Sequence, residues 1–90
     1  MQFYVYTLFS LKDKKFYTGF TNNLKKRLIE HVKGQVIAAR HRRPLKLVHY
    51  EYIINEQDAK AREVFLKSGF GRNQLKRSLK VTLGKLIKQI

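Results

Sequence analysis

The chain contains no cysteine and only six acidic residues, Asp13, Glu30, Glu51, Glu56, Asp58 and Glu63. The first absence rules out disulfides and any thiolate metal site. The second makes a centre of several clustered carboxylates, such as a two-metal nuclease site, hard to build. It leaves room for a metal held by one carboxylate. No run is long and apolar enough to span a membrane, and the opening Met-Gln-Phe-Tyr-Val-Tyr is not a charged segment followed by an apolar one. The expectation is therefore an unprocessed, cytoplasmic protein without membrane contact. There is no internal repeat and no low-complexity linker, and 90 residues suffice for one core only.

Basic residues dominate what is present. Twenty Lys and Arg give a net charge of +14. Such a chain repels itself and gains by meeting a polyanion, because neutralised phosphates release counterions. DNA is the expected partner, with RNA not excluded. An anionic membrane surface and a merely solvated basic face are the blander alternatives. A hydrophobic share of 43%, with six Phe and five Tyr, supplies the core.

Residues 3–9, Phe-Tyr-Val-Tyr-Thr-Leu-Phe, read as a strand buried on both faces, and 15–20 return as a second strand after a turn at Lys12-Asp13-Lys14. Gly19 inside that strand signals a bulge or a close backbone approach. Thr21, Asn22 or Asn23 can cap a helix over 23–33, with Leu24, Leu28 and Val32 as its apolar stripe, Arg27 and His31 bordering it, and Gly34 ending it. Residues 35–44 read as a basic loop and 45–54 as a third strand. That strand puts Val48, Tyr50, Tyr52 and Ile54 on one face and Leu47, His49, Glu51 and Ile53 on the other. Asn55 with Asp58 resembles a capping box for a helix over 55–68. Gly69 and Gly71 should break that helix before a short basic one over 72–80, whose apolar points are Leu75 and Leu79. The order β-β-α-β-α-α with a leading hairpin gives an α+β fold, a small and largely antiparallel three-stranded sheet flanked by helices. Residues 1–80 form the domain. Residues 81–90 form an amphipathic tail interrupted by Gly84, packing on the domain, on a protein partner or in a homodimer.

Several side chains can carry phosphate chemistry. Tyr6 and Tyr17 lie in neighbouring strands. A phenol titrates near 10 and is a poor base unless a cation or metal-bound water lowers its pKa, though it can orient a water or relay a proton. Both are otherwise core or stacking aromatics. Arg27 offers a planar fork for phosphate oxygens, or is one surface cation beside Lys25 and Lys26. His31 can accept a proton near neutral pH, or simply suits a helix C-terminus. Glu63 can pair with Lys67 four residues on. His41 belongs to the basic loop and His49 to a strand.

Tyr4-Val5-Tyr6, Tyr17-Thr18-Gly19 with Thr21, Arg27 and His31 on the next helix, and Arg62-Glu63 leading through Leu66-Lys67 to Gly69 form an ordered set. This set resembles the GIY-YIG nuclease superfamily over about residues 2–80, and is most similar to its single-domain bacterial members that resemble the UvrC excinuclease subunit of DNA repair. The resemblance implies a metal-dependent endonuclease acting on DNA. Tyr6 and Tyr17 would line its site, with Tyr17 beside the nucleophilic water and Tyr6 in support. Arg27 would hold the scissile phosphate, His31 would take a proton, and Glu63 would hold one Mg²⁺ or Mn²⁺. The alternative is a basic nucleic-acid-binding module without catalysis. A third is a basic anchor to anionic membrane through residues 81–90.

The chain departs from the family pattern in three places. Phe20 stands where many members carry Lys, which removes one aid to tyrosine activation and gives His31 more to do. Asn73 is the nearest counterpart of an Asn that many members carry after the metal Glu, at a short spacing. Tyr4 replaces the first Gly. Arg40, Arg42, Arg43 and Lys46, and in a second group Lys67, Arg72 and Lys76, with Arg77 and Lys80 beside them, are expected to contact backbone phosphates without reading bases. Any one of them is otherwise solvated charge.

Overall fold

The computed structural model describes residues 2–88, so Met1 and the end of the expected tail, Gln89 and Ile90, lie outside the described residues. Strand β1 (Phe3–Ser10) is the middle of a three-stranded sheet, with β2 (Phe16–Thr21) on one side and β3 (Leu45–Ile53) on the other. Both pairings are antiparallel. The uninterrupted apolar run belongs in the middle because a central strand is covered on both faces: every β1 residue except Tyr4 is buried.

Directly paired antiparallel residues share a face. Phe3, Val5, Thr7 and Phe9 therefore lie on one side, with Phe16 and Phe20 of β2 and Ile53 of β3. Two helices cover that side, α2 (Glu56–Lys67) and α3 (Gly69–Ser78). Ala59, Leu66 and Leu75 from these helices close the core over Phe3 and Val5, with Phe65 and Leu79 at its margin. Tyr4, Tyr6, Leu8 and Ser10 face the opposite way, beside Gly19 and Tyr17 of β2 and Tyr50 and Tyr52 of β3. Helix α1 (Leu24–Val32) lies on this second side.

The alternation expected for the third strand breaks once. Thr7 pairs with His49, but Leu8 pairs with Leu47, so Val48 is an extra residue in a bulge. Leu47 thereby joins the Tyr50 and Tyr52 face, opposite to the side a straight strand would give it.

The helix starts follow their caps. Asn23 accepts from the Lys26 amide at 3.1 Å, and Asn55 from the Asp58 amide at 3.0 Å. The glycines after α2 do not act as a spacer. Ser68 ends α2 and at once caps α3, its hydroxyl accepting from the Gly71 amide at 3.1 Å, so the third helix begins at Gly69 rather than 72. Gly71 is buried where the two helices meet, and a Cβ there would sit 2.8 Å from the Leu66 Cα and closer still to the Phe65 carbonyl oxygen. The tail is also a helix, α4 (Lys80–Lys88), running through Gly84. Leu83 and Leu86 are half-buried while Val81 and Ile87 are exposed. The segment read as a loop contains one 3₁₀ turn, Arg40–Arg42. Among the described residues no helix is long and apolar enough to cross a membrane.

Candidate active site

The site is built around Tyr6. Its strand register sets it opposite Gly19, and its ring lies across that glycine so closely that any Cβ there would overlap the hydroxyl and the ring. The glycine of the second tripeptide is required for space, the close approach its place in a strand suggested. Tyr6 is wholly buried, and its hydroxyl lies 2.9 Å from Nε2 of His31. The imidazole meets both phenols edge-on, with ring centroids 5.5 Å from Tyr6 and 5.3 Å from Tyr17. Tyr17 is only half-buried, so it is the phenol of the pair that reaches solvent.

Helix α1 turns a different face inward from the one its apolar stripe suggested. Val32 is 74% exposed, whereas His31 is 4% exposed, the most buried side chain of the helix. Leu24, Arg27 and Leu28 are half-buried with it, at the i, i+3, i+4, i+7 spacing of one helix face. Two polar residues occupy the inward stripe because each has a counterpart across the interface. His31 has the Tyr6 hydroxyl, and Arg27 has Tyr6 nearby as well as Glu30 at 3.1 Å on its own helix.

Charges converge on the same phenol. Burial raises the Tyr6 pKa above its ordinary value of 10.0. The Arg27 guanidinium opposes that rise, while Tyr17 and the Glu63 carboxylate add to it. The Tyr6 hydroxyl in turn raises the Arg27 pKa. His31 moves the other way: burial, reinforced by Arg27, lowers it below 6.5. Near neutral pH the pair is thus a protonated phenol and an uncharged imidazole. That imidazole has proton-accepting capacity, and the phenol in this state is a poor base. His31 Nδ1 and Arg27 Nε are both buried without a hydrogen-bond partner among the described residues. Leaving such groups unpaired costs about 1–3 kcal/mol each.

Glu63 approaches from α2, with its side chain 20% exposed and 2.9 Å from Lys67 Nζ. Its neighbour Arg62 turns elsewhere and binds both Glu51 oxygens at 2.9 and 3.0 Å, while His49 Nε2 lies 2.9 Å from Glu51. This second network is on the far side of the sheet and ties α2 to β3. No cluster of three or more His, Asp or Glu that could hold a metal forms among the described residues. The donor set therefore suits a hard cation that takes one protein carboxylate and completes its shell with water and substrate oxygens, as Mg²⁺ does. The Lys67 pair is no obstacle, since its lysine end is 55% exposed and i,i+4 pairs on a helix are worth only about 0.2–0.5 kcal/mol.

A family model described as the GIY-YIG catalytic domain matches residues 2–76. The chain belongs to the GIY-YIG family. It is 44% identical to a UPF0213 protein of Clostridium perfringens over 72 residues, covering 79% of this chain and 75% of that one. It is 39% identical to a UPF0213 protein of Pediococcus acidilactici over 77 residues, covering 82% and 78%. The solution NMR structure of a UPF0213 protein from Bacillus halodurans shares 34% identity and superimposes with a TM-score of 0.55, over 89% of this chain and 86% of that one. The family is one of endonucleases, and the names of these relatives state no activity. In this GIY-YIG chain the fold brings the sequence candidates Tyr6, Tyr17 and His31 into direct contact, with Arg27 on the same inward helix face and Glu63 within electrostatic reach of Tyr6.

The basic candidates divide differently from their order in the sequence. Arg42 is a clamp: its guanidinium holds Asp13 through two bonds of 2.6 and 3.2 Å and donates to the Phe16 carbonyl. Arg43 caps the end of α1, donating to the Val32 carbonyl at 3.1 Å. Lys67 holds Glu63. Arg40 and Lys46 are exposed and have no such ties among the described residues. Arg72 and Lys76 line one groove with Lys14 and Lys15 of the hairpin turn. Lys14 was read only as a turn residue and Lys15 only as the start of the second strand, and no local signal in the sequence ties this hairpin to a helix so far along the chain. A larger groove of about 690 Å³ runs from His31 past Leu8, Leu28 and Leu47 to a rim of Lys12 and Arg40.

Proposed function

We propose that this chain is a metal-dependent endonuclease that hydrolyses phosphodiester bonds in DNA. The observation that carries the reading is the convergence on Tyr6: a 2.9 Å bond to an uncharged, buried His31, with Arg27, Tyr17 and Glu63 close enough to shift its titration. Family membership supports the same chemistry.

The residues divide the work by exposure and charge. Tyr17, the phenol that reaches solvent, sits beside the attacking water. His31 accepts the proton, the part that Phe20 in place of a lysine leaves to it. Tyr6, sealed over Gly19, positions the imidazole and relays charge to it. Arg27 presents its fork to the phosphate oxygens and offsets the charge that builds as the fifth oxygen bonds. Glu63 would hold one Mg²⁺ or Mn²⁺, which when bound polarises the phosphoryl oxygen and stabilises the leaving 3′-oxygen. The remaining cations, Arg40, Lys46, Arg72 and Lys76 first among them, attract the polyanion without reading its bases.

The test is cleavage of a panel of duplex, single-stranded, flap, junction and RNA substrates with Mg²⁺ or Mn²⁺. At least one DNA substrate should be cut, and Glu63→Ala should slow that cutting by about 100-fold or more. In parallel, calorimetric titration with Mn²⁺ should show a site in the wild type that Glu63→Ala lacks. If the wild type cuts nothing on the panel with either metal, the rival stands instead: a basic module that binds nucleic acid and has no catalysis.

A further inference from the structure

On the sheet face that carries Tyr6, helix α1 leaves the β3 side open. Tyr50 and Tyr52 of that edge strand are 53% and 51% exposed, and Tyr4 of the central strand lies against both, at ring-centroid distances of 6.2 and 5.6 Å. None of the three belongs to the hydrophobic core, which lies on the other face. Half-exposed aromatic rings forgo much of the burial energy available to them, so their presence in a row calls for an occupant. Tyr50 is the direct cross-strand partner of Tyr6, and Tyr52 of Tyr4. The row of rings therefore runs into the phenol that holds His31.

We propose that Tyr4, Tyr50 and Tyr52 form a stacking platform for unpaired nucleobases flanking the scissile phosphate, so that the preferred substrate has a single-stranded stretch at the site of cutting. This deepens the nuclease reading and rests on it for the word substrate. The π faces of a duplex are hidden in its own stack, and only an unpaired base can lay its face on a phenol. Tyr50 and Tyr52 are two residues apart, about 7 Å along a strand, twice the roughly 3.4 Å rise of stacked bases, so neighbouring bases meet neighbouring rings only on a strand that is unstacked and extended, which a duplex is not. Stacking of this kind tolerates any base. A second copy of the chain is the competing occupant of an open edge strand. Two bodies of charge +14 repel one another, whereas a polyanion is drawn to the same face.

Binding is measured with EDTA present, so that no cleavage intervenes, using a short oligo-dT strand and a blunt mixed-sequence duplex as probes. The chain has five tyrosines and no tryptophan, so stacking reads out directly as quenching of intrinsic tyrosine emission. Oligo-dT should quench the wild type. The double substitution Tyr50→Ala and Tyr52→Ala should weaken oligo-dT binding by about 10-fold or more per ring while changing duplex affinity by less than about twofold. The corresponding Phe pair keeps the rings and should bind oligo-dT like the wild type, which separates stacking from folding and from loss of a hydroxyl. The proposal is overturned if strand and duplex affinities fall together in the Ala pair, or if neither falls. It is also overturned if sedimentation shows a wild-type dimer that the Ala pair dissociates. A chain that binds strands through these rings and never cuts would sink the nuclease reading and leave the platform. One that cuts without regard to Tyr50 and Tyr52 would do the reverse.

Discussion

Gly19 and Tyr6 compete for one volume, and the hydroxyl of Tyr6 wins it. Gly19→Ala should therefore displace the ring, break the 2.9 Å bond to His31, and cost about 1–3 kcal/mol of stability as overpacking. Thermal melting and cleavage assays should both register the change. His31 sets the pH dependence. Burial lowers its pKa below 6.5, so it is uncharged at pH 7. A group depressed on folding contributes fully above its unfolded value and loses that contribution as pH falls through its folded one. The His31 contribution to stability should thus be intact above 6.5 and fall away below it, and the acid limb of the cleavage profile should lie on the same side. His31→Ala should remove that limb. Of the candidate site, the five side chains were chosen in the sequence because their order along the chain matches a family pattern. The inward turn of His31 was not. Its burial depends on a hydroxyl 25 residues earlier in another strand, and hydropathy ranks Val32 as the better core residue.

The elements are joined by two small devices. At the first, Ser68 serves α2 and α3 together, and Gly71 lets their backbones touch. Gly71→Ala has no flexible side chain to displace, only the Phe65 carbonyl and the Leu66 Cα, so it should destabilise the domain by about 1–3 kcal/mol or more, read by denaturant melting. At the second, Arg42 holds the β1–β2 turn against the 3₁₀ segment through Asp13, and its hydrogen bonds pull the Asp13 pKa from 3.8 down to about 2. That stabilisation is present above 3.8 and lost as pH falls through about 2. Arg42→Ala should flatten the stability curve in that window, while melts near neutral pH show the whole loss of the clamp. Strand and helix existence was legible because period and caps agreed: Asn23 and Asn55 cap as read. The joint at 68–71 was misread because Gly is a breaker by propensity, and only a neighbouring backbone turns it into a requirement. The bulge at Val48 was invisible because it is a property of pairing with β1 and not of the β3 sequence.

At the scale of the molecule, a charge of +14 should make nucleic-acid affinity fall steeply with salt, by about 10³ between 50 and 200 mM if some six phosphates are neutralised. Arg42 and Arg43 are occupied within the fold, so Arg72 and Lys76 should contribute more to that slope than either. On the proposed function, charge brings the polyanion to the surface while hydrolysis belongs to the cluster at Tyr6. The measurement that separates them most directly is the single-turnover cleavage rate at saturating protein for wild type, Arg27→Ala and Arg72→Ala. Saturation removes differences in binding and leaves the chemical step. The account predicts that Arg27→Ala slows that step by about 10²–10³ while Arg72→Ala matches the wild type once enough protein is present. Equal rates for all three, or equal losses in both variants, would contradict it.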